Sequence, residues 1–471
     1  MPPLRKRTRA IVDDSVSNGA GNGITLLIIT IVFFLFPFMT ASMNVALPSI
    51  GIELSLDAVT LGLITAADVL AGAPLLVAFG RIGDIYGRKK IFISGIAIFA
   101  LASLFAGMAT SGVMLISFRV LQGICVAIFV ATGIALLTSI FPASERGKIL
   151  GINVAAIFSG LTIGPLLGGI LTERLGWRSI FFLTFSLGLV ISGILLWRLK
   201  GEWTDAKGEK FDFAGFVIYS LALGALAYGL VSLPELSGVW AIVGGVIGLL
   251  GFARLEMRIR SPLLDIKLFR NSRAFTFSSL ATLVGSGPFL AVPFLINLYL
   301  QYVKGFEPEN AGLTLVALYA MTAIFSPLAG RLSDRIEPRL VASTGMALLT
   351  TGLVMFVFLS DKTPLGLVIA NLVLVGLGNA FFSSPNTNVI MSSVPRAAYG
   401  VASATIGTMR QIGAVLGMGI IMMMFSLYIG RVQITPEYYA LFQESMKTSF
   451  IILAILCFAG IFVSLVRNKV R

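Results

Sequence analysis

The residue with the clearest chemical potential is Asp68, which lies inside the almost wholly apolar stretch LITAADVLAGAPLLVAF at 63–79. A charged side chain at the centre of a membrane helix costs about 2.5–3.5 kcal/mol on insertion scales, so it is a functional hypothesis by default. Burial favours the neutral acid, whereas a nearby guanidinium favours the carboxylate. The stretch therefore predicts either an acid that exchanges protons or a member of a buried ion pair.

Two arginines lie in similarly apolar stretches and are candidate partners of this acid. Arg119 lies in LISFRVLQGICVA at 115–127, and Arg410 lies in ASATIGTMRQIGAVLG at 402–417. Ionisable residues in membrane spans usually face the interior of the helix bundle. One interpretation assigns proton coupling to Asp68 with both arginines. The other is a permanent ion pair between Asp68 and one arginine, which only holds helices together.

The elements that position these groups are membrane helices. The chain has 471 residues, of which 57% are hydrophobic and 12% charged, and its mean hydropathy is +0.95; soluble domains are about 25% charged. Fourteen apolar runs have lengths near the ~20 residues that cross a bilayer. The sequence predicts an all-α polytopic membrane protein with spans at 24–47, 59–79, 91–110, 113–137, 149–171, 177–197, 213–232, 237–253, 274–301, 311–330, 340–359, 364–388, 398–428 and 446–466.

The distribution of basic residues predicts the orientation. Of the 35 lysines and arginines, 27 fall on the side of both termini, six fall on the opposite side, and two lie inside spans. An excess of Lys and Arg marks cytoplasmic loops. Both termini are therefore predicted to be cytoplasmic in a multi-pass protein of the cell membrane. This asymmetry also explains the net charge of +13 without a nucleic-acid partner.

Residue types that commonly perform catalysis or bind metals are scarce. The chain has no histidine, and its two cysteines, Cys125 and Cys457, both lie in apolar runs. Histidine is the usual general base and a common transition-metal ligand. An enzyme, a metal site, a cofactor or a disulfide is therefore not expected. The predicted partners are a small-molecule substrate, protons and the lipid bilayer, and the predicted state is a monomer.

A short motif repeats at equivalent positions of the chain. The segments GRIGDIYGRKK at 80–90 and GRLSDRIEPR at 330–339 both read Gly-Arg-aliphatic-x-Asp after a span. Internal repeats are typical of secondary transporters, with the binding site at the midplane between the repeats. The alternative is that any tight cytoplasmic turn selects Gly and Arg. The domains predicted from the repeat are a cytoplasmic N-terminal tail at 1–23, a six-helix bundle at 24–200, two inserted spans at 201–260 and a second six-helix bundle at 261–471.

The repeated loops are candidates for a conformational latch. Glycine permits a tight turn of the backbone, and Asp84 could lie against the positive N-terminus of a helix from the other half. Such a contact would exist in only one of two conformations. The predicted latch residues are Gly80, Gly83, Asp84, Arg88, Gly330 and Asp334.

The fifth span has the features of a hinge. Gly160, Gly164 and Gly168 recur every four residues and form one smooth ridge, and Pro165 frees a backbone carbonyl and bends the helix. The alternative is ordinary packing of small residues. The ninth span has a comparable interruption, GSGPFLAVP at 285–293.

Together these motifs resemble the major facilitator superfamily, specifically its fourteen-span drug:proton antiporter branch, over essentially the whole chain. Segment 80–90 is similar to the family's loop motif between spans two and three, and 115–127 to its span-four motif. GLTIGPLLGG at 160–169 is similar to the antiporter motif of span five, and 376–417 to the stretch leading into span thirteen. The resemblance implies two six-helix bundles with two inserted spans. It also implies proton-coupled export of lipophilic small molecules such as drugs, cations among them, by alternating access.

The first span departs from the family pattern. The branch often has an acid there, in Leu-Asp-x-Thr-Ile-Val-Asn-Val-Ala-Leu-Pro, and the matching segment is FMTASMNVALP at 38–48. Asn44 and Pro48 are kept, whereas Met39 occupies the position of the acid. We therefore expect Asp68, on the neighbouring span, to take over proton exchange.

Candidate substrate contacts are aromatic, amide and methionine side chains in spans expected to line a cavity, because such side chains suit varied apolar ligands. Ordinary helix packing is the alternative at each position. The candidate contacts are Phe36, Met39, Asn44, Phe289, Asn297, Tyr319, Asn379, Phe382 and Asn386.

The sequence also leaves competing functions open. They are a lipid or glycolipid exporter of the same fold, a facilitator without proton coupling, and a membrane sensor or scaffold.

Overall fold

The computed structural model describes residues 19–142, 145–199, 201–204, 208, 212–257, 268–269, 272–394 and 399–465. Residues 1–18 of the predicted tail lie outside this part of the chain. The helices are α1 (Gly19–Glu53), α2 (Ala58–Gly72), α3 (Leu76–Tyr86), α4 (Arg88–Gly107), α5 (Gly112–Ile140), α6 (Arg146–Leu175), α7 (Arg178–Arg198), α8 (Phe213–Val231), α9 (Leu236–Glu256), α10 (Arg273–Leu298), α11 (Pro308–Arg335), α12 (Pro338–Val357), α13 (Leu365–Ser392), α14 (Tyr399–Tyr428) and α15 (Tyr439–Leu465). A π-helical turn, Tyr299–Val303, extends α10, and a short 3₁₀ turn, Pro436–Tyr438, precedes α15.

The helices account for the fourteen predicted spans. Thirteen are individually long and apolar enough to cross a membrane, and α2 with α3 forms one further span that is bent by 42°. Pro74 lies in the break, where it removes a backbone donor and interrupts the helical hydrogen bonds. The all-α polytopic prediction is confirmed, and the second span is a broken helix.

The bend changes the placement of the first repeated motif. Gly80, Gly83 and Asp84 lie within α3 rather than in the predicted loop. The tight turn occurs instead at Gly87, where φ is 120°, a conformation that L-residues with a side chain rarely adopt. Gly83 is required for another reason, because a Cβ there would lie 2.6 Å from Cγ2 of Thr132 on α5.

The helices pack in two groups with an inserted pair. Helices α1–α7 contact one another in the first group, and α10–α15 do so in the second. The pair α8 and α9 packs together, and α8 touches both groups, because Tyr219 Oη lies 3.4 Å from Thr408 Oγ1 and Ser220 Oγ donates to the Pro74 carbonyl at 3.3 Å. The inserted spans therefore lie across the seam where α2 and α14 meet.

The polar contacts between the two groups lie at one end of the described part of the chain. We call the end with the predicted basic loops the basic end, and the opposite end the far end. Between residues that the structure describes, every hydrogen bond and ion pair joining the two groups lies at the far end. These contacts are Asn297 Nδ2 to Asn44 O at 2.7 Å, Gln301 Nε2 to Val45 O at 2.7 Å, Ala58 N to Val432 O at 3.1 Å, Gln433 Nε2 to Gly51 O at 3.2 Å, Glu309 N to Glu173 Oε2 at 3.2 Å and Arg174 Nη2 to Glu309 Oε2 at 3.5 Å.

Candidate functional site

The site is centred on a buried ion pair between Asp68 on α2 and Arg119 on α5. Arg119 Nη2 lies 2.8 Å from Asp68 Oδ2, and the two side chains are 0% and 1% exposed. These two atoms do not form an aligned hydrogen bond, so the attraction between them is mainly Coulombic. Asp68 Oδ1 accepts from the Val69 amide at 2.9 Å. Of the two partners considered from the sequence, the structure pairs Asp68 with Arg119.

Polar side chains connect this pair to two further helices. Arg119 Nη1 donates to Gln122 Oε1 at 3.1 Å, and Gln122 Nε2 donates to Ser103 Oγ on α4 at 2.9 Å. The same Nε2 lies 3.5 Å from Met39 Sδ on α1. The Asp68–Arg119 pair is therefore connected by contacts to four helices of the first group, α1, α2, α4 and α5. Gln122 and Ser103 were missed as site residues, although Gln122 was visible one helical turn after Arg119.

Close contact between α2 and α5 depends on glycine. A Cβ at Gly123 would lie 2.0 Å from the Asp68 carbonyl oxygen, and one at Gly72 would lie 2.8 Å from the Gly123 carbonyl oxygen. Small residues let membrane helices approach at backbone distance. The carboxylate of Asp68 can reach the guanidinium because these two positions lack side chains.

Arg410 is not part of this pair. It lies on α14, its side chain is exposed, and it has no hydrogen bond or ion pair with another described residue. The proposed role of Arg410 in proton coupling stays a prediction.

The first latch motif is held within its own half. Asp84 Oδ1 accepts from Arg88 Nε at 2.8 Å and from Arg88 Nη2 at 2.6 Å. Arg88 Nη1 also bonds Ser139 Oγ on α5, and Lys89 N donates to Glu202 Oε1 at 2.8 Å. Among the described residues, no hydrogen bond or ion pair joins Asp84 to the second group. The latch role of the motif stays a prediction.

The second copy of the motif is built differently. Position 338 is proline rather than arginine, and Asp334 is exposed without a described partner. Gly330 is close to α13, because a Cβ there would lie 2.9 Å from Ser384 Oγ. The repeat thus preserves the sequence pattern at Gly330 and Asp334 but not the ion pair of the first copy.

Replacement of Asp84 by Asn is expected to lower turnover about fivefold or more, whereas substrate affinity should stay within about twofold of wild type. The reason is that a latch contact worth ~1 kcal/mol would change the balance between two conformations without touching the substrate. Turnover in proteoliposomes and binding by fluorescence titration measure the two effects. Asp361→Asn, at an exposed acid in the connection between α12 and α13, is the matched control. A parallel fall in binding and turnover would exclude the latch role.

The glycine ridge of the predicted hinge packs inside the first half. Cβ atoms at Gly160, Gly164 and Gly168 would lie 2.4, 2.8 and 2.4 Å from atoms of α1. Two residues next to the ridge contact the second half instead: Pro165, which follows Gly164, and Gly169, which follows Gly168. A Cβ at Gly312 on α11 would lie 2.1 Å from the Pro165 carbonyl oxygen, and one at Gly169 would lie 2.5 Å from the Pro308 carbonyl oxygen. The three ridge glycines therefore pack as small residues commonly do, against a helix of their own half. Pro165, in contrast, lies where the two halves meet.

Gly164→Leu is expected to lower the thermal stability of the purified protein strongly, because the new side chain would displace α1 from α6; overpacking typically costs 1–3 kcal/mol, occasionally more. Gly151→Leu is the matched control, since it lies on the same helix with nothing within 4 Å of its Cβ position. Both variants are compared by thermal unfolding in detergent. Equal melting temperatures for the two variants would contradict the packing role.

Three predicted substrate contacts meet in one place. Phe289, Tyr319 and Asn379 line a narrow cavity of about 10 Å³ between α10, α11 and α13. Phe382 lies beside this cavity, since its ring is 2.4 Å from a Cβ position at Gly285. In this conformation the cavity is too small for an organic ligand, so substrate contact by these residues also stays a prediction.

The remaining predicted contacts are used in packing in this conformation. Asn386 Nδ2 bonds Thr282 Oγ1 at 2.8 Å and the Ser278 carbonyl at 3.1 Å, while Asn297 and Asn44 join the halves at the far end. Met39 is fully buried, and Phe36 packs edge-on against Phe129 at 6.3 Å. Substrate contact by these residues stays a prediction.

Two packed groups of membrane helices, with ionisable groups buried at membrane depth, are typical of a secondary transporter. Comparison with known proteins identifies the family. The family description "Major Facilitator Superfamily" matches residues 29–418 and 308–470, so the chain belongs to this superfamily.

Individual relatives agree with this membership. The chain is 33% identical over 388 residues to multidrug resistance protein Stp of Mycobacterium tuberculosis (strain CDC 1551 / Oshkosh), covering 80% of this chain and 71% of that protein. It is 28% identical over 441 residues to riboflavin transporter RibZ of Clostridioides difficile (strain 630), covering 93% and 96%. A crystal structure of a bacterial homologue of the human lysosomal transporter Spinster is similar in fold, with a TM-score of 0.69, 17% identity and coverage of 95% and 97%.

The protein is therefore a drug-efflux-like transporter of the major facilitator superfamily and not an enzyme. Its many apolar helices make it a multi-pass protein of the cell membrane. Transport of a small molecule follows from the family.

Proposed function

We propose that the protein exports lipophilic small molecules in exchange for protons by alternating access. The observation that carries this proposal is the Asp68–Arg119 pair, which is the one ion pair between described residues that lies fully buried at membrane depth. A buried carboxylate that faces a guanidinium across 2.8 Å can exist in two states, paired and charged or protonated and released.

Protonation of Asp68 would remove the attraction that holds α2 to Arg119. The freed guanidinium still has the Gln122 amide oxygen and the Ile64 carbonyl, at 3.1 and 3.3 Å, as acceptors. Since Gln122 also lies against Met39 of α1, the rearrangement is transmitted to α1, whose far end contacts the second half. The proton thus acts on the packing that distinguishes the two conformations.

The direction of transport is supported by the relatives. Stp is named a multidrug resistance protein, which favours export, whereas RibZ is named a riboflavin transporter. Both names fit a small organic substrate with an apolar body. We propose export for this chain because its 33% identity to Stp is the higher of the two.

A facilitator without proton coupling is the second candidate. It is favoured by Met39, which lies at the position of the family's acid on α1 and is fully buried against Gln122. If Asp68 never releases Arg119, the pair is structural and substrate only equilibrates across the membrane.

Transport in proteoliposomes separates the two candidates. Purified protein would be tested with fluorescent lipophilic dyes that are cationic, neutral or acidic, with and without a pH gradient and with the voltage clamped. Accumulation that depends on the pH gradient supports proton-coupled export. Equilibration that ignores the gradient supports the facilitator, and absence of transport for all dyes would contradict both.

A further inference from the structure

We infer that Arg410 is an anion-recognition residue in the space between the two halves, and that the transported substrate carries an acidic group on an apolar body. This inference rests on the proposed transport function and specifies its substrate class. It replaces the expectation of cationic substrates that accompanied the family resemblance.

The position of Arg410 follows from the contacts of α14. Thr408 faces α8, Gly413 and Gly417 face α10 at backbone distance, and Gly407 faces Leu76 of α3. Residues two apart on a helix point about 200° from each other, so Arg410 points nearly opposite to α8. That direction lies between α10 of the second half and the α2–α3 span of the first. Arg410 therefore faces the seam between the halves rather than the outer side of α14, where α8 packs.

The guanidinium is accessible at this position. Arg410 and Ser403, which shares its face of α14, are both exposed and have no partner among the described residues. Among the described residues, the hydrogen bonds that join the halves lie at the far end, whereas Arg410 lies nearer the basic end of α14. An arginine and a hydroxyl two turns apart on one helix face supply several hydrogen-bond donors to a ligand in the cleft.

The charge balance at membrane depth favours an anion. Three ionisable groups of the described part lie well inside spans, namely Asp68, Arg119 and Arg410, and the remaining described acids lie in connections or within two turns of the end of a span. Asp68 and Arg119 neutralise one another at 2.8 Å, which leaves the charge of Arg410 without a counterion. Electrostatic interactions are strong where water is scarce, so a cation is repelled and an anion is attracted.

The chemistry of the side chain specifies the group that it binds. A guanidinium presents a planar set of N–H donors that matches carboxylate and phosphate oxygens in a bidentate manner. Apolar surface for the rest of a ligand is present in the same half, where Phe289 of α10 and Tyr319 of α11 line a small cavity. A ligand with one acidic group and an aromatic or aliphatic body would satisfy both regions. The acidic group could belong to a soluble organic acid or to the headgroup of an anionic lipid.

Matched fluorescent probes test the inference without any mutation. The wild-type protein in phosphatidylcholine nanodiscs would be titrated with 9-anthracenecarboxylate, 9-anthracenemethanol and 9-(aminomethyl)anthracene, which share one apolar body and differ in charge. We expect about tenfold tighter binding of the acid than of the alcohol, and weaker binding of the amine, as a charged hydrogen bond implies. Equal affinities, or preference for the amine, would overturn the inference.

Variants then assign the preference to one residue. Arg410→Gln should remove the roughly tenfold advantage of the acid and leave the alcohol unchanged, while Arg410→Lys should retain only part of it, because the charge remains but the bidentate donor set is lost. Arg254→Gln is the matched control, since Arg254 is an exposed arginine on α9, away from the seam, and has no ion pair with another described residue. An Arg410→Gln protein that binds alcohol normally and still prefers the acid would overturn the assignment.

Competition distinguishes the two sources of the acidic group. Displacement of 9-anthracenecarboxylate by benzoate but not by phosphatidic acid in the nanodisc identifies a soluble organic acid, and the reverse result identifies a lipid headgroup. Displacement by neither would overturn the inference. Transport of neutral dyes with no acid preference would leave the transport function standing while removing this substrate class, so the two proposals fail separately.

Discussion

Asp68→Asn is expected to abolish accumulation driven by a pH gradient while substrate exchange continues. A tenfold proton gradient corresponds to about 1.4 kcal/mol, which for one proton per neutral substrate supports about tenfold accumulation. The amide cannot exchange this proton, so the ratio of substrate inside to outside should fall to about one. The measurement is dye accumulation in proteoliposomes with the voltage clamped, followed by counterflow of labelled substrate to detect exchange.

A second variant separates loss of coupling from loss of folding. Asp68→Asn leaves the fully buried Arg119 without its counterion, and removal of one partner from a buried pair typically costs 3–5 kcal/mol. Asp68→Asn combined with Arg119→Gln removes both charges and should restore thermal stability without restoring coupling. If either variant still concentrates substrate under a pH gradient alone, Asp68 is structural and does not couple transport to protons. That result would also exclude the facilitator without proton coupling, which the methionine at position 39 had favoured.

Gly312→Leu is expected to reduce transport at least tenfold by preventing closure of the far end. A Cβ at this position would lie 2.1 Å from the Pro165 carbonyl oxygen, so a leucine must move α11 away from α6. A clash of 1–3 kcal/mol shifts the balance of conformations by roughly five- to 150-fold. Spin labels at Glu173→Cys and Glu309→Cys, whose native contact crosses the seam at 3.2 Å, would report the widened distance.

The control for this variant is Gly366→Leu near the far end of α13, where no atom lies within 4 Å of the Cβ position. It should transport normally and keep the native distance between labels. Gly312→Ala should give a smaller shift in the same direction. A Gly312→Leu protein that is folded, transports normally and shows the native label distance would remove the far-end contact from the transport cycle.

Local properties of the sequence determined the architecture. Hydropathy is a property of each segment alone, because a span must satisfy its backbone hydrogen bonds within itself in lipid. The fourteen spans and the all-α class could therefore be predicted, as could the superfamily from four local motifs. The proline at position 74 could have predicted that the second span is broken there, but the sequence does not predict the 42° angle of the bend.

Contacts between helices decided the site, because they depend on which faces meet. In the sequence Arg119 and Arg410 were equivalent partners for Asp68, and only packing through Gly123 brought Arg119 to 2.8 Å. Arg410 faces the seam instead, and no described residue pairs with it.

The same reasoning explains the two glycine motifs. Regular spacing at Gly160, Gly164 and Gly168 predicted a close helix contact, but not that its partner is α1 of the same half. The close contact between the halves lies at Gly169 and Gly312, which have no periodic signal because a single close approach between two helices needs only one small residue on each. Sequence periodicity specifies the faces of a helix, whereas the tertiary fold decides which helix each face meets.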